Sequence, residues 1–363
     1  MVTAQRDVIA IDRAHGGNAR DGFLDFSTSL NPFGPPAEAI AAYHAAADAI
    51  ARYPEPYPRR LEARIASWLG VDPEMVLAGN GSTQLIYLVA RTLRLRAPHV
   101  VIPTFSEIAN ALHAASTQPV PIILHAENDF RVEAKGFEQA VDAGAEGILL
   151  GRPNSPTGSL IGIDEIGAMA RACSRRDAWV VVDEAFIEFA DDPRSAVSLI
   201  GYNPNLVVSR SLTKIFALAG LRLGYLVGAP ELVRKLRDSI EPWSVNAVAE
   251  RVAGACLEVD PEFIASSRRR LFEERKGILT ELTRAGGLRI FPSRANFFLI
   301  KVDAEPEIGD LGRFLRGHQI VIRDLSALPG FGPGFYRIGL RAHADNALLI
   351  AAIGDYFASR TIA

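Results

Sequence analysis

The sequence predicts an α/β protein with a large, mostly parallel sheet followed by a smaller α+β domain. Short apolar runs alternate with helical stretches from about Met75 to about Val227, an order typical of a parallel sheet covered by helices on both faces. These runs are apolar throughout, as expected for strands buried on both sides. After about Pro230 a long amphipathic helix and several short strands follow, which indicates the second domain.

Composition fits an ordinary soluble globular protein and excludes several classes of function. The chain has 363 residues, 48% of them hydrophobic, and a formal net charge of −3. A near-neutral charge without basic blocks predicts no nucleic-acid partner. No apolar run is long enough to cross a membrane, and Met1–Asp7 lacks the apolar core of a signal peptide. Cys173 and Cys256 lie far apart, which favours free thiols in the cytoplasm.

The chain begins with a loop-rich arm, because glycine and proline are frequent in His15–Asn18 and Asn31–Pro36. An alanine-rich helix is predicted from Ala37 to Ile50. A second helix runs from Arg59 to Leu69 and ends before Gly70.

The alternating region contains five apolar runs that we interpret as strands of the large sheet. They are His99–Ile102, Pro121–Leu124, Gly147–Leu150, Val180–Val182 and Leu206–Val208. Asn154, Asp183 and Ser211 each follow such a run. Because ligands bind outside the carboxyl ends of parallel strands, we expect these three side chains to meet at one edge of the sheet.

The C-terminal region has the pattern of a compact α+β unit. Phe263–Arg284 carries apolar residues at near-helical spacing and predicts a long amphipathic helix. Predicted strands are Leu288–Phe291, Phe297–Ile300, Ile320–Arg323 and Phe335–Ile338, with a closing helix from Asp345 to Phe357.

Lys214 is the most informative residue, because of the groups around it in the sequence. It follows Ser211 and Thr213, precedes Arg222, and comes after the strand-end Asp183. A lysine amine forms a Schiff base with an aldehyde, and a carboxylate can pair with a pyridine nitrogen. Hydroxyls and an arginine can hold a phosphate. These residues therefore favour a site for pyridoxal phosphate.

Further residues fit such a site, each with a structural alternative. Gly79–Gln84 precedes the helical run Leu85–Leu93, and a glycine turn at a helix N-terminus can bind an anion or can simply cap the helix. Ala185 could lie against one cofactor face or be a small core residue. Arg323 and Arg337 could bind carboxylate or phosphate, or form surface ion pairs. No Walker A pattern, Gly-x-Ser-x-Gly elbow or metal-ligand spacing occurs.

The motifs together resemble the class I/II aminotransferase superfamily of pyridoxal phosphate fold type I. They are Gly79-Asn80-Gly81, Asn154–Gly158, Asp183-Glu184-Ala185, and Ser211–Lys214 with Arg222. The resemblance covers nearly the whole chain. It implies a seven-stranded, mostly parallel sheet, a homodimer with shared active sites, and three parts: an arm at 1–45 that joins the small domain, a large cofactor domain at 46–235, and a small domain at 236–363.

Two branches of the superfamily compete, namely histidinol-phosphate aminotransferase and the threonine-phosphate decarboxylase of cobalamin biosynthesis. The stretches more similar to the decarboxylase are His15–Asn18, Leu24–Ser27 leading to Asn31-Pro32, Asp183–Phe189, Pro242–Ala247, Ile322-Arg323, and Tyr336-Arg337 with Arg341. The aminotransferase branch usually carries tyrosine where this chain has Phe186. The implied reaction takes L-threonine O-3-phosphate to (R)-1-amino-2-propanol O-2-phosphate.

The resemblance also implies residue roles. Lys214 and Asp183 would be catalytic, and Asn154 would contact the ring oxygen and the substrate. The cofactor phosphate would be held by Gly81, Ser82, Ser211, Thr213, Arg222 and, from the other subunit, Tyr53. Arg337 would bind the substrate carboxylate, and His15 and Arg323 its phosphate.

One position departs from the family pattern. The aromatic residue that usually stacks on the pyridine ring is replaced by Ile108. Either Phe105 takes over this contact or an aliphatic side chain covers the ring. Three functions therefore stay open: the decarboxylase, an aminotransferase acting on histidinol phosphate or another phosphorylated amino acid, and a non-catalytic binding protein on the same scaffold.

Overall fold

The computed structural model describes residue 9 and residues 14–303, 305 and 307–361. Most of the first thirteen residues of the predicted arm lie outside this range. The strands are β1 (Leu24–Asp25), β2 (Val76–Asn80), β3 (Pro98–Ile102), β4 (Val120–Ile123), β5 (Gly147–Gly151), β6 (Trp179–Asp183), β7 (Leu206–Ser211), β8 (Leu223–Val227), β9 (Leu288–Ile290), β10 (Phe297–Val302), β11 (Ile320–Val321), β12 (Arg323–Asp324) and β13 (Phe335–Gly339).

The helices alternate with these strands in the first two thirds of the chain. They are α1 (Ala37–Ala45), α2 (Arg59–Leu69), α3 (Gly81–Leu93), α4 (Ser106–Ala114), α5 (Ala134–Asp142), α6 (Ile163–Ser174), α7 (Leu212–Ile215), α8 (Pro230–Arg237), α9 (Ala247–Leu257), α10 (Pro261–Ala285), α11 (Asp310–Gly317) and α12 (His343–Thr361).

The large sheet has seven strands in the order β2-β8-β7-β6-β5-β3-β4, and only β8 runs against its neighbours. The predicted seven-stranded, mostly parallel fold is therefore confirmed. The reversal of β8 follows from its connection to β7, because residues 212–222 hold only the short α7 and a tight turn. A parallel return needs a crossover of a dozen residues or more.

Both faces of this sheet are buried, which explains why its strands are apolar throughout. Along β6, Val180 and Val182 belong to one core cluster, which includes apolar residues of α5 and α6. Val181 belongs to the other cluster, with apolar residues of α3, α4 and α8. Alternate residues of one strand thus fill two separate cores.

A second sheet is formed by the C-terminal strands in the antiparallel order β12-β13-β10-β9. The predicted strand Ile320–Arg323 is wrong as a single element. Its first half, β11, pairs in parallel with β1 of the arm, and its second half, β12, pairs with β13. The chain changes partners at Ile322, so the arm and this sheet are joined through one short segment. The predicted domain boundaries stay predictions.

The predicted helix Ala37–Ile50 is also divided. The α-helical part ends at Ala45, and a 3-10 turn follows over Ala47–Ala51. Ala46 and Ala49 are fully buried. Their spacing of three matches the three residues per turn of a 3-10 helix, which places both methyl groups on the same side.

No helix in the described ranges is long and apolar enough to cross a membrane. The same residues contain no cluster of three or more histidine, cysteine or acidic side chains that could hold a metal ion. Cys173 and Cys256 are both buried free thiols.

Candidate active site

A cavity of about 690 Å³ lies at the carboxyl edge of the large sheet. Thr104 follows β3, Ser155 follows β5, and Asp183 and Ser211 end β6 and β7. The arm adds His15, and the C-terminal sheet adds Arg323 and Arg337, to the same wall. Three separate parts of the sequence therefore meet where a parallel sheet is expected to bind its ligand.

Lys214 and Asp183 face the same cavity. Burial, together with the charges of Arg337 and Arg222, lowers the pKa of the Lys214 ammonium to about 8, against the opposing effect of Asp183. A larger fraction of the amine is therefore neutral and nucleophilic near pH 8 than for an exposed lysine. The Lys214 Nζ lies 5.6 Å from the centre of the Phe186 ring.

Asp183 is a carboxylate that lacks a full set of partners. Burial raises the pKa of its side chain to about 7, although the Ala185 N–H and the charge of Lys214 act in the opposite direction. Its Oδ1 is buried and has no hydrogen-bond partner among the described residues. A protonated ring nitrogen would supply both the missing donor and a positive charge. Ala185 lies beside it in the cavity wall.

An anion cradle lies where α3 begins. Ser82, Thr83, Ser211, Thr213 and Arg222 line this part of the cavity. The hydroxyls of Ser211 and Thr213 are 2.7 Å apart and hydrogen-bond each other, and the one that accepts keeps its own proton for a bound anion. Free N–H groups at the start of α3 also favour an anion.

Close packing of glycines shapes this cradle. Gly81 has φ +83°, and a Cβ added there would lie 2.6 Å from Arg222 Nη2. A Cβ at Gly224 of β8 would lie 2.2 Å from the Ser82 backbone nitrogen. The orphaned Asp183 oxygen, the lysine and this cradle together fit pyridoxal phosphate, with its phosphate near Ser82 and its ring nitrogen near Asp183.

Two arginines stand directly opposite each other on adjacent antiparallel strands, Arg323 on β12 and Arg337 on β13. Arg337 donates to Ser155 Oγ at 3.0 Å and to the Ser27 carbonyl at 2.6 Å. Burial and the neighbouring charge of Arg323 lower the pKa of Arg337 to about 10. Like charges placed opposite each other destabilise a strand pair, so a bound anion would relieve this repulsion.

Some of the predicted site residues do not line the cavity. Asn154 is buried beneath its wall, where its Nδ2 donates to the Pro103 carbonyl at 2.8 Å and to Thr157 Oγ1 at 3.0 Å. Its Oδ1 accepts from Thr104 Oγ1. Asn154 Nδ2 can therefore contact the ring oxygen of the cofactor only if it gives up one of these two hydrogen bonds.

Phe105, and not Ile108, lies in the cavity wall. Ile108 is 3% exposed, belongs to the core cluster that includes apolar residues of α3 and α8, and does not line the cavity. Of the two alternatives for covering the ring, this placement favours Phe105. Phe186 also lines the cavity and offers no hydroxyl.

Tyr53 is 85% exposed and does not line the cavity of its own chain. Its ring centre is 5.4 Å from that of Trp243, which is also exposed. This position suits a contact with a second copy of the chain, as the resemblance implies.

Several wall residues were missed by sequence reasoning, namely Ser27, Tyr87, Glu107, Ser155, Leu325 and Leu328. Two of them had a usable signal. Tyr87 follows Thr83 by four residues and so shares its face of α3. Glu107 follows the end of β3 closely, at the same sheet edge as Asp183. The two leucines come from a loop whose position the sequence does not reveal.

A sheet of this topology, with Lys214 and Asp183 in one cavity at its carboxyl edge, defines the class of protein: a pyridoxal phosphate-dependent enzyme of fold type I. The chain belongs to the aminotransferase class I and II family, whose model matches residues 21–354.

Relatives on two branches of this family are similar over nearly their full length. The threonine-phosphate decarboxylase of Salmonella typhimurium is 33% identical, covering 94% of this chain and 95% of that protein. A protein of Caldanaerobacter subterraneus, provisionally named as the same enzyme, is 36% identical over 93% of this chain and 92% of its own. The solved histidinol-phosphate aminotransferase of Clostridium acetobutylicum is 27% identical with a TM-score of 0.84, covering 92% of this chain and 98% of that one.

Proposed function

We propose that this protein decarboxylates L-threonine O-3-phosphate to (R)-1-amino-2-propanol O-2-phosphate, for synthesis of the cobalamin side chain. The observation that carries this proposal is the pair of opposed arginines, Arg323 and Arg337. A substrate with a carboxylate and a phosphate supplies one anion for each. The decarboxylases among the relatives support the same choice.

The chain's own residues provide the binding and proton chemistry of this reaction. Arg337 holds the substrate carboxylate, while His15 and Arg323 hold the phosphate. Phe105 and Ala185 would flank the cofactor ring, and Asp183 would keep its nitrogen protonated. When bound, pyridoxal phosphate withdraws electrons from the substrate α-carbon.

Loss of CO2 would break the bond between the α-carbon and the carboxylate and leave its electron pair at the α-carbon, where the bound cofactor would stabilise it. Lys214 Nζ would donate the proton that forms the new C–H bond. Arg337 would hold the substrate carboxylate, and the direction in which it holds that group would decide between loss of CO2 and loss of the α-proton.

The alternative is an aminotransferase acting on histidinol phosphate or another phosphorylated amino acid. Its supporting observation is the phosphate-binding side of the cavity, because His15 and Arg323 would suit any of these substrates. Such an enzyme needs an oxo acid as amino acceptor, which the decarboxylase does not.

Product analysis separates the two functions. The purified protein with cofactor is incubated with threonine phosphate, serine phosphate or histidinol phosphate, with and without 2-oxoglutarate, and the products are identified by mass. We expect aminopropanol phosphate from threonine phosphate in both conditions. Glutamate formed from 2-oxoglutarate with histidinol phosphate, and no amine product from threonine phosphate, would support the aminotransferase. Absence of any product and of cofactor absorbance would support a binding protein.

We also infer a homodimer with shared active sites in the cytoplasm. Tyr53, Trp243 and Ile50 expose large apolar surfaces, and Ile50 is 80% exposed. A second copy could cover them. The buried free thiols suit a reducing compartment.

A further inference from the structure

Glu107 is an acidic side chain in the wall of a cavity whose other charged residues are mostly basic. It lines the same space as Arg222, Arg323 and Arg337, and its carboxylate is only 12% exposed. A carboxylate at this position repels a doubly anionic substrate unless its charge is taken up by other groups.

The contacts of Glu107 show where its charge is taken up. The Tyr87 hydroxyl donates to Oε2 at 2.6 Å, and Asn110 Nδ2 donates to Oε1 at 2.8 Å. His15 Nε2 lies 3.0 Å from the same Oε1. Both carboxylate oxygens are thus occupied, and three side chains from the arm, α3 and α4 converge on one group.

Hydrogen bonds hold the backbone on either side of His15, and Glu107 holds its imidazole ring. Arg323 Nη2 donates to the Ala14 carbonyl before it, and Gly17 N–H donates to Ser27 Oγ at 2.9 Å after it. The His15 side chain itself is 46% exposed. The Phe105 ring also lies near the imidazole, with ring centres 6.3 Å apart, and it offers no hydrogen bond.

The backbone beside His15 is held very close to the rest of the arm. A Cβ at Gly16 would lie 2.3 Å from the Ser27 carbonyl oxygen, and Ser27 in turn accepts from Arg337. Backbone contacts therefore set the path of the segment, and Glu107 sets the direction of the imidazole ring.

We propose that Glu107 is a positioning residue for recognition of the substrate phosphate, acting through His15. It anchors the imidazole on the cavity wall beside Arg323, so that the arm and the C-terminal sheet bind the phosphate from two sides. This role rests on the proposed function, since it requires a substrate with a phosphate group. No contact between Glu107 and the substrate is needed.

The first test replaces Glu107 by glutamine in the cofactor-loaded enzyme. Glu107→Gln keeps the shape of the side chain but loses the charge that strengthens its hydrogen bond to His15. We therefore expect the KM for threonine phosphate to rise about tenfold, while kcat changes less than about threefold. Glu281→Gln removes an exposed carboxylate on α10 that pairs with Arg284, and should leave both constants unchanged. A lower KM in Glu107→Gln would show that the carboxylate only repels substrate, and would overturn the proposal.

The second test asks whether Glu107 acts through His15. His15→Ala alone should raise the KM by at least as much as Glu107→Gln. In the double variant the second change should add less than about twofold, because groups that act as a unit are not additive. A tenfold effect of Glu107→Gln that persists in the His15→Ala background would contradict the proposal, as would a silent His15→Ala.

A milder variant covers the case in which Glu107→Gln does not fold. Tyr87→Phe removes one donor to Glu107 at nearly constant volume, and should raise the KM about twofold to threefold in the wild-type background and not in His15→Ala. An effect of equal size in both backgrounds would count against the proposal. If the enzyme proves to transaminate histidinol phosphate, the same single and double variants are compared by their KM for that substrate. The proposed function can then fail while the role of Glu107 is still tested.

Discussion

Asp183 shows how a functional residue can weaken the protein that carries it. The side chain is buried, one of its oxygens lacks a partner, and its pKa is raised to about 7. In the protein without cofactor, the folded state therefore binds a proton more tightly at Asp183 than the unfolded state does. Stability from this group is lost as the pH rises from about 4 to about 7, and it remains lost at higher pH.

Asp183→Asn should accordingly stabilise the cofactor-free protein. At pH 8 we expect a gain in the free energy of unfolding of up to about 4 kcal/mol, from 1.36 kcal/mol for each pKa unit, shrinking as the pH falls toward 4. Urea unfolding at several pH values measures this. The exposed Asp142→Asn should change stability by less than about 0.5 kcal/mol. A less stable Asp183→Asn protein at pH 8 would contradict the assigned environment.

Gly81→Ala tests the phosphate cradle. The added methyl group would meet Arg222 Nη2 at 2.6 Å, at a residue with φ +83°. We expect cofactor affinity to fall at least about tenfold, because Arg222 must move away from the bound phosphate. Titration of the cofactor-free protein measures it. Gly354→Ala, on α12 with open space around the position, should bind cofactor normally. Unchanged affinity in Gly81→Ala would argue against a phosphate at this site.

A buried ion pair links the ends of β5 and β6 just behind the cavity. Arg152 and Glu184 are both fully buried and joined at 2.8 Å. Arg152 also donates to the Ile161 and Arg194 carbonyls. Arg152 balances the charge of Glu184, and that charge is one of the causes that raise the pKa of the adjacent Asp183.

Arg152→Met should destabilise the protein by about 3–5 kcal/mol, because it leaves Glu184 buried without its positive partner. Arg96→Met breaks a pair between Arg96, which is 89% exposed, and Glu146, and should cost less than about 1 kcal/mol. Thermal or urea unfolding of both variants gives the comparison. Equal effects would mean that burial does not distinguish the two pairs.

Most elements of the large sheet could be predicted from the sequence, because a strand buried on both faces is an unbroken apolar run. The five predicted runs fall in β3 to β7 with ends shifted by one to three residues. Local pattern did not reveal the direction of β8 or the change of partners within residues 320–323. Both depend on which distant strand lies alongside, and that information is absent from a short window of sequence.

Several polar residues of the site could be predicted from the sequence for a similar reason. Asp183, Ser211 and Lys214 lie at or just after strand ends, and a parallel sheet brings such ends together. The position of Glu107 just after β3 could be predicted from the sequence, but its contacts with His15 and Tyr87, which are distant in sequence, could not. The position of Asn154 behind the wall depends on its bonds to Pro103 and Thr157, which motif matching does not reveal.

The proposed dimer can be tested by mixing two variants whose subunits are each inactive. Lys214→Ala and Tyr53→Ala should each be strongly impaired. If Tyr53 serves the site of the partner, a mixed dimer contains one fully native site. Equal mixing with subunit exchange should then restore about a quarter of wild-type activity, since half the dimers are mixed.

Activity after mixing would stay at the level of the two single variants if Tyr53 served its own subunit. Light scattering of the same samples gives the oligomeric state. A monomer at working concentrations would contradict the shared site directly. Mixing wild type with Lys214→Ala should give half of wild-type activity with or without subunit exchange, and it serves as the reference for the activity scale.

Decarboxylation of a phosphorylated amino acid in this cavity can be measured directly. The most direct measurement is the release of CO2 from carboxyl-labelled L-threonine O-3-phosphate by the cofactor-loaded protein without any oxo acid. We predict one CO2 for each substrate consumed, together with one aminopropanol phosphate, and loss of this release in Lys214→Ala. Substrate consumption that requires 2-oxoglutarate and retains the label in the product would contradict the account.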